Sequence, residues 1–152
     1  MSGIIGNNVA RASGVIAAAG GGSNTPAFLV TKSGTQGITR HSVDKITWDT
    51  ETYDTDGAFA SDKFTVPADE GGKYFFYATA RTQDNGGETW IYMYKNGAEI
   101  YRIYGKKAGT NCQISYQADL SATDYIEIYM MNNEPSPSIQ TNAFFSGFKL
   151  ID

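Results

Sequence analysis

The residues that could do chemistry are few, and the single histidine and single cysteine limit what they can do. His41 and Cys112 are the sole members of their types in 152 residues. Together they could act as base and nucleophile, but no supporting motif surrounds either one. Two such residues cannot supply the nitrogen and sulfur ligands of a typical zinc site. The sequence therefore predicts that the protein is not an enzyme, with Cys112 a structural thiol and His41 an exposed imidazole.

An acidic segment at positions 49–57 is the best candidate for a metal site. It reads DTETYDTDG and places Asp49, Asp54 and Asp56 just ahead of Gly57. Carboxylates at such spacing near a glycine can wrap a calcium ion, although no glutamate follows at the spacing of a complete calcium loop. A solvated acidic turn is the favoured interpretation, and calcium held by Asp49, Asp54 and Asp56 is the alternative. No other cofactor is expected.

The distribution of charge argues against nucleic acid as a partner. The net charge is −4, and positions 1–43 hold Arg11, Lys32, Arg40 and no acid, which leaves 9 basic and 16 acidic residues in the remainder. Such an acidic domain repels a phosphate backbone. The apolar runs near the start are short and interrupted, so neither a signal peptide nor membrane insertion is predicted. The lone cysteine excludes an intrachain disulfide.

The first 25 residues differ in composition from the rest of the chain. Glycine, alanine and serine dominate there, and acids are absent. A disordered tail is one interpretation. We favour an arm that becomes ordered on a partner, with glycines 20–22 as a flexible joint, because freely solvated tails rarely carry scattered apolar residues. The residues expected to anchor this arm are Ile4, Ile5, Val9, Val15 and Ile16.

Positions 26–152 carry the pattern of antiparallel β-structure. Apolar and polar residues alternate in Gln113–Leu120, which indicates a half-buried strand. The Asn96-Gly97 pair predicts a type I′ hairpin turn, and Pro67 should end a strand. About eight to ten strands separated by turn signals are typical of a sandwich or jelly roll. Segments 33–41 and 49–57 are predicted to be loops.

Large apolar side chains on both faces of single strands predict self-association. In 90–94 aromatic residues alternate with Ile91 and Met93, and 125–131 repeats the arrangement. One face can fill the core, and the other would expose a larger aromatic patch than monomers usually show. Loops that cover this second face are the alternative. The predicted interface residues are Trp90, Tyr92, Tyr94, Tyr125 and Tyr129.

Short motifs along positions 26–152 suggest a family. In chain order they are PAF at 26–28, YD at 53–54, KFTVP at 63–67, GKYFF at 72–76, NG at 96–97 and FSGFKL at 145–150. This series resembles the jelly-roll domain shared by complement 1q and the tumour necrosis factor ligands. The family's usual Gly-Asp appears here as Thr123-Asp124. The resemblance implies an all-β, antiparallel jelly-roll head and a homotrimer, and calcium near the trimer apex occurs in some members.

The arm supplies a second resemblance. SGIIG at 2–6 and SGVI at 13–16 are similar to the starts of structural proteins from marine tailed phages. This similarity implies a virion protein, assembled in the host cytoplasm, that decorates a capsid or forms part of a head or tail fibre. Its arm would bind a capsid or tail protein. The alternative is a receptor- or glycan-binding module at a tail-fibre tip, using the polar loops 82–89 and 132–142.

Overall fold

A computed structural model describes residues 24–83, 87–105 and 109–150, and these residues form strands and loops without a helix. No segment of this described part is therefore a helix suited to crossing a membrane. In chain order the strands are β1 (Ala27–Thr31), β2 (Gln36–Gly37), β3 (Asp44–Lys45), β4 (Thr50–Asp54), β5 (Phe59–Ala60), β6 (Lys63–Thr65), β7 (Gly72–Ala80), β8 (Thr89–Lys95), β9 (Ala98–Gly105), β10 (Cys112–Leu120), β11 (Tyr125–Asn132), β12 (Ser138–Ile139) and β13 (Phe144–Lys149).

Two antiparallel sheets form the body of the molecule. A five-stranded sheet has the order β10-β7-β13-β1-β4, and a six-stranded sheet has the order β5-β6-β11-β8-β9 with β3 also paired to β11. The short strands β2 and β12 pair separately. Strands distant in sequence therefore lie side by side, as in a jelly roll. The predicted all-β, antiparallel jelly-roll architecture is confirmed.

The core between the sheets is built from aromatic rings. Phe28, Phe64, Phe76 and Phe145 are completely buried. The ring centroids of Phe28 and Phe145 are 4.8 Å apart, and those of Phe28 and Phe64 are 5.1 Å apart. Such ring pairs add to the hydrophobic free energy of burial. The alternation of Tyr74, Phe76 and Ala78 in β7, all at 0% exposure, explains the aromatic motif at 72–76.

Gly147 is required by this packing. A Cβ atom at this position would lie 2.4 Å from Cδ1 of Phe76 and 2.9 Å from Cε1 of Phe28. Real side chains do not approach so closely, so only glycine lets β13 lie flat against these two rings. The glycine in FSGFKL therefore has a steric cause.

Two turns at one end of the sandwich hold each other in place. Asn96 and Gly97 have φ angles of 53° and 78°, as a type I′ turn requires. The Asn96 amide donates to Asp124 at 2.6 Å and accepts the Tyr125 N–H at 2.9 Å. Hydrogen bonds from Lys95 and Asn96 lower the pKa of Asp124 to about 2. Thr123 has φ 73°, a conformation that favours the glycine usual in the family.

The acidic segment is partly a strand and not the expected loop. Thr50–Asp54 forms β4, which pairs with β1 at the edge of the five-stranded sheet. The side chains of β4 are mostly exposed, so burial leaves no alternating apolar pattern in its sequence. Backbone hydrogen bonds to β1 define this strand, and its composition could not predict it. The same holds for the two-residue strand β2 within 33–41.

Candidate functional site

The five residues predicted for an interface lie on the outer face of the six-stranded sheet. Their neighbours Ile91, Met93, Ile126, Ile128 and Met130 point into the core and are fully buried. The rings of Tyr94 and Tyr129 are 4.4 Å apart. Trp90, Tyr94, Tyr125 and Tyr129 are half-buried, whereas Tyr92 is only 4% exposed.

Charged groups cover part of this face within one protomer. Lys45 forms a 2.8 Å ion pair with Glu127, whose hydroxyl partner is Tyr129 at 3.3 Å. Burial, followed by the nearby Glu127, raises the pKa of the Tyr129 phenol. Lys63 lies 4.4 Å above the Tyr125 ring. The aromatic face of the six-stranded sheet is therefore interleaved with ion pairs that the protomer supplies itself.

The opposite sheet has a second aromatic outer face that the sequence analysis did not identify. The ring centroids of Phe75 and Phe148 are 5.6 Å apart, and those of Tyr77 and Phe144 are 5.4 Å apart. All four rings are half-buried. Strand β13 places Ser146 between its two phenylalanines, so no charge interrupts the cluster. The alternation of Phe75 and Tyr77 with core residues in β7 was the available signal.

One edge of the sandwich, between β9 and β10, is lined by neutral residues. Tyr101 is 40% exposed, and its ring lies 5.6 Å from that of Tyr116 across the gap between the two sheets. A cleft of about 210 Å³ opens there, lined by Tyr77, Tyr101, Ile103, Gln113, Ile114 and Ser115. We call this region the tyrosine edge.

The other edge, between β4 and β5, contains a larger and acidic cavity. Its volume is about 380 Å³, and its lining is Val30, Trp48, Asp49, Thr50, Glu51, Phe59, Ala60, Ser61 and Asp62. Trp48 packs against Phe145, with ring centroids 6.0 Å apart. The indole N–H of Trp48 is buried and has no acceptor in the described part of the chain. We call this region the acidic edge.

The carboxylates proposed as calcium ligands are engaged by their own segment. Asp49 accepts the N–H groups of Ser33 at 2.7 Å and Gly34 at 3.1 Å, and the bond from Ser33 is the main reason that its pKa is lowered. Asp54 accepts the N–H groups of Ala58 and Phe59 at 3.0 and 2.8 Å.

Asp56 accepts the hydroxyl of Thr55 at 2.5 Å. Among residues 24–83, 87–105 and 109–150, no three acidic, histidine or cysteine side chains are grouped to hold a metal. The candidate calcium set of Asp49, Asp54 and Asp56 is corrected accordingly: two of the three carboxylates cap backbone N–H groups.

A buried lysine lies behind the acidic edge. Lys32 is 5% exposed, and its ammonium donates to the carbonyl and hydroxyl oxygens of Thr47 at 2.9 and 3.2 Å. Burial lowers the Lys32 pKa, and the attraction of Asp49 and Asp62 opposes that effect. One oxygen of Asp62 accepts the Trp48 backbone N–H at 2.7 Å. The two aspartates of the cavity are thus partly neutralised from within the protein.

The two residues considered as a nucleophile and base have environments unsuited to that role. Cys112 is 3% exposed, and burial raises the pKa of its thiol to about 11. A thiol with such a pKa remains protonated at neutral pH and is a poor nucleophile. His41 lies in an exposed turn with φ 61°.

The loops proposed for ligand contact meet at a buried polar knot. The Asn132 amide, fully buried, donates to the hydroxyls of Thr82 and Thr89 at 3.0 and 2.9 Å. These three residues therefore tie the two loops together, and they are not available for ligand contact. Residues 84–86 of the first loop lie outside the described residues. The anchoring arm and its residues Ile4, Ile5, Val9, Val15 and Ile16 also lie outside them.

Comparisons with known proteins agree with this architecture. No protein-family model matches the sequence, and no curated protein matches it. The globular domain of the zebrafish complement 1qA protein matches with a TM-score of 0.61 and 19% identity, over 83% of this chain and 98% of that one. Murine APRIL matches with a TM-score of 0.59 and 13% identity, over 82% and 98%. The chain therefore has the complement 1q/TNF-like jelly-roll fold.

Proposed function

We propose that this protein is a homotrimeric structural component of a tailed-phage virion, a capsid decoration or part of a head or tail fibre. The observation that carries the homotrimer is the uncharged aromatic face of the five-stranded sheet, with the rings of Phe75, Tyr77, Phe144 and Phe148 half-exposed. The fold supports the number, because complement 1q/TNF-like domains commonly form homotrimers. The virion role is supported by the arm's resemblance to phage structural proteins.

A ring of three identical protomers needs two different complementary surfaces on each copy, because its contacts are heterologous. This protomer offers such a pair. One surface is the aromatic face just named, and the other is the tyrosine edge, where Tyr101 and Tyr116 project from β9 and β10. We place the tyrosine edge of each copy against the aromatic face of the next. Tyrosine and phenylalanine are enriched at interfaces, and charged residues are depleted at their centres.

The face predicted from sequence, with Trp90, Tyr94 and Tyr129, is the competing interface. Its ion pair between Lys45 and Glu127 is already formed within the protomer, and Tyr92 is already covered. Association there would remove paired charges from water with little new apolar burial. The five-stranded sheet lacks that cost at its aromatic centre, so we assign the interface to it.

Light scattering on the full chain tests the assignment. The unaltered protein should have about three times the 16.5 kDa protomer mass, and Phe148→Asp should reduce this to one protomer because a carboxylate would be buried in the interface. The matched variant Tyr94→Asp on the six-stranded sheet should leave the mass unchanged. A monomeric Tyr94→Asp with a trimeric Phe148→Asp would move the interface to the predicted residues. A monomeric wild-type protein would refute the homotrimer.

The anchoring role of the arm needs a separate experiment. Deleting residues 1–24 should abolish incorporation into particles, because the apolar residues from Ile4 to Ile16 would no longer be buried on a capsid or tail protein. The head should remain soluble and trimeric, since the proposed interface lies wholly within it. Normal decoration of particles by the truncated chain would contradict the anchor while leaving the trimer intact.

A receptor- or glycan-binding module at a fibre tip is the second candidate. The buried knot of Asn132, Thr82 and Thr89 fixes two polar loops at the same end of the head, and Pro135 and Ser136 are exposed beside it. A rigid scaffold that presents polar loops suits surface recognition. Absence of binding by the arm-deleted head to host cells, at concentrations at which intact particles adsorb, would reject this candidate.

A further inference from the structure

The cavity of the acidic edge has the size and the mixed lining of a ligand site. At about 380 Å³ it falls in the range of small-molecule pockets, which combine apolar walls with a few polar groups. Phe59 and Trp48 supply the aromatic part of the wall, and Val30 supplies an aliphatic part. The polar part comes from carboxylates and hydroxyls. The question is which chemistry these groups leave unsatisfied.

The unsatisfied groups include both a donor and acceptors. The Trp48 indole N–H has no acceptor in the described part of the chain. Asp62 uses one carboxylate oxygen for the Trp48 backbone N–H, and its other oxygen has no hydrogen-bond donor within the described residues. Glu51 is exposed and likewise unpaired there. Asp49, in contrast, is occupied by Ser33, Gly34 and Thr50.

This combination excludes the simplest charged ligands. A metal ion or an ammonium group has no acceptor to offer an indole N–H. An anion would meet the carboxylates of Asp49, Glu51 and Asp62. The ammonium of Lys32 already partly offsets the two aspartates from behind, which weakens the attraction for a cation. A neutral ligand whose groups both donate and accept would satisfy all the free groups, and a hydroxyl does both.

We propose that the acidic edge binds a neutral saccharide, as a pyranose ring packed on Trp48 and Phe59. The C–H face of a pyranose is apolar and suits an aromatic wall, while its hydroxyl groups would donate to Glu51 and Asp62 and accept from the Trp48 indole. This site is distinct from loops 82–89 and 132–142. It lies at the opposite edge of the sandwich from the tyrosine edge, so it does not depend on the homotrimer or on the virion role.

Nitrogen–proton NMR of the full chain tests the site directly. The protein has two tryptophans and therefore two indole N–H signals, and Trp48→Phe identifies that of Trp48 by its loss. We would titrate the methyl pyranosides of glucose, mannose, galactose and N-acetylglucosamine to about 50 mM, which covers millimolar dissociation constants. At least one should move the Trp48 signal saturably and leave that of Trp90 in place.

Substitutions then locate the contacts. Glu51→Ala removes an exposed, unpaired side chain, and Asp62→Asn keeps the oxygen that accepts the Trp48 backbone N–H. Asn also tolerates the positive φ of 59° at this position. Each should weaken binding roughly tenfold, the loss expected for one good hydrogen bond. Glu99→Ala, an exposed acid on β9, is the matched control and should leave the affinity unchanged.

Three outcomes would overturn the proposal. The first is an unmoved Trp48 signal with all four saccharides. The second is a shift that survives unchanged in the double variant Glu51→Ala, Asp62→Asn. The third is a saturable shift caused by calcium or methylguanidinium and by none of the saccharides. None of these results bears on the trimer, because light scattering measures that independently.

Discussion

The two edges of the sandwich show how differently one fold uses polar and aromatic residues. At the acidic edge, Asp49 and Asp62 sit beside the buried ammonium of Lys32 and accept backbone N–H groups. At the tyrosine edge, no charged residue lines the cleft, and Tyr101 and Tyr116 meet across the gap between the sheets. The first edge is concave and partly neutralised internally. The second is aromatic and uncharged.

This difference bears on what each edge can bind. Charges that already have partners contribute little to a new interface and cost free energy when they are buried. An uncharged aromatic surface has no such cost, and its burial is favourable. The tyrosine edge therefore suits a second copy of the chain, whereas the acidic edge suits a small ligand that fits between existing partners. Acidic residues were the most conspicuous groups in the sequence, yet most of their capacity is spent on the fold.

The largest expected effect comes from removing the core that both edges share. Gly147→Val would place methyl groups where even a Cβ is 2.4 Å from the Phe76 ring. Overpacking of this kind should destabilise the head by about 3 kcal/mol or more. Urea unfolding followed by circular dichroism measures the loss. Both edges should fail together, and a variant with wild-type stability would show that β13 can shift away from the rings.

Next in size is the loss of association at the tyrosine edge. Tyr101→Asp combined with Tyr116→Asp should convert the trimer to a monomer, because two carboxylates would have to leave water on assembly. Sedimentation analysis measures the mass. Tyr53→Asp is the matched control, since Tyr53 is 47% exposed on β4 of the acidic edge. If the control also dissociates the trimer, both edges take part in assembly and the contrast between them fails.

A smaller effect should follow from Asp49 at the acidic edge. Asp49→Ala leaves the N–H groups of Ser33 and Gly34 without their acceptor and should cost about 1–2 kcal/mol near neutral pH. The Asp49 pKa is lowered in the folded state, so its stabilisation is present at neutral pH and is lost progressively as the pH falls below about 4.

Wild type and Asp49→Ala should therefore converge in unfolding free energy at low pH. Glu51→Ala, which removes an unpaired acid from the same cavity, should change stability by less than about 0.5 kcal/mol at either pH. Equal losses for the two variants would mean that the hydrogen bonds to Asp49 add nothing specific.

The sequence predicts those parts of the fold whose local chemistry agrees with their burial. Alternation identified β7, β10 and β11, and Asn96-Gly97 identified the β8–β9 turn, because side-chain period and turn conformation are local properties. Strand β4 escaped prediction since its side chains are exposed and only its pairing with β1 defines it.

Sites were harder to predict than strands because they depend on which residues the topology brings together. Trp48 and Asp62 are 14 positions apart, and Tyr101 and Tyr116 come from different sheets. No spacing rule joins them. Sequence also cannot show that an acid is already paired, which is why Asp49 was a candidate metal ligand. The interface residues Trp90, Tyr92, Tyr94, Tyr125 and Tyr129 stay a prediction that the Tyr94→Asp variant tests.

The smallest expected effect concerns calcium at the acidic edge. A cation that bound Asp49, Asp54 and Asp56 in the folded state alone would raise the melting temperature in proportion to its affinity. Asp49 and Asp54 each accept two backbone N–H groups, and a metal would have to compete with all four. Millimolar calcium, with EDTA as the reference, should therefore shift the melting temperature by less than about 1 °C. A shift of several degrees that Asp54→Asn abolishes would mean that these carboxylates reorganise around the ion, and the acidic edge would then be a metal site after all.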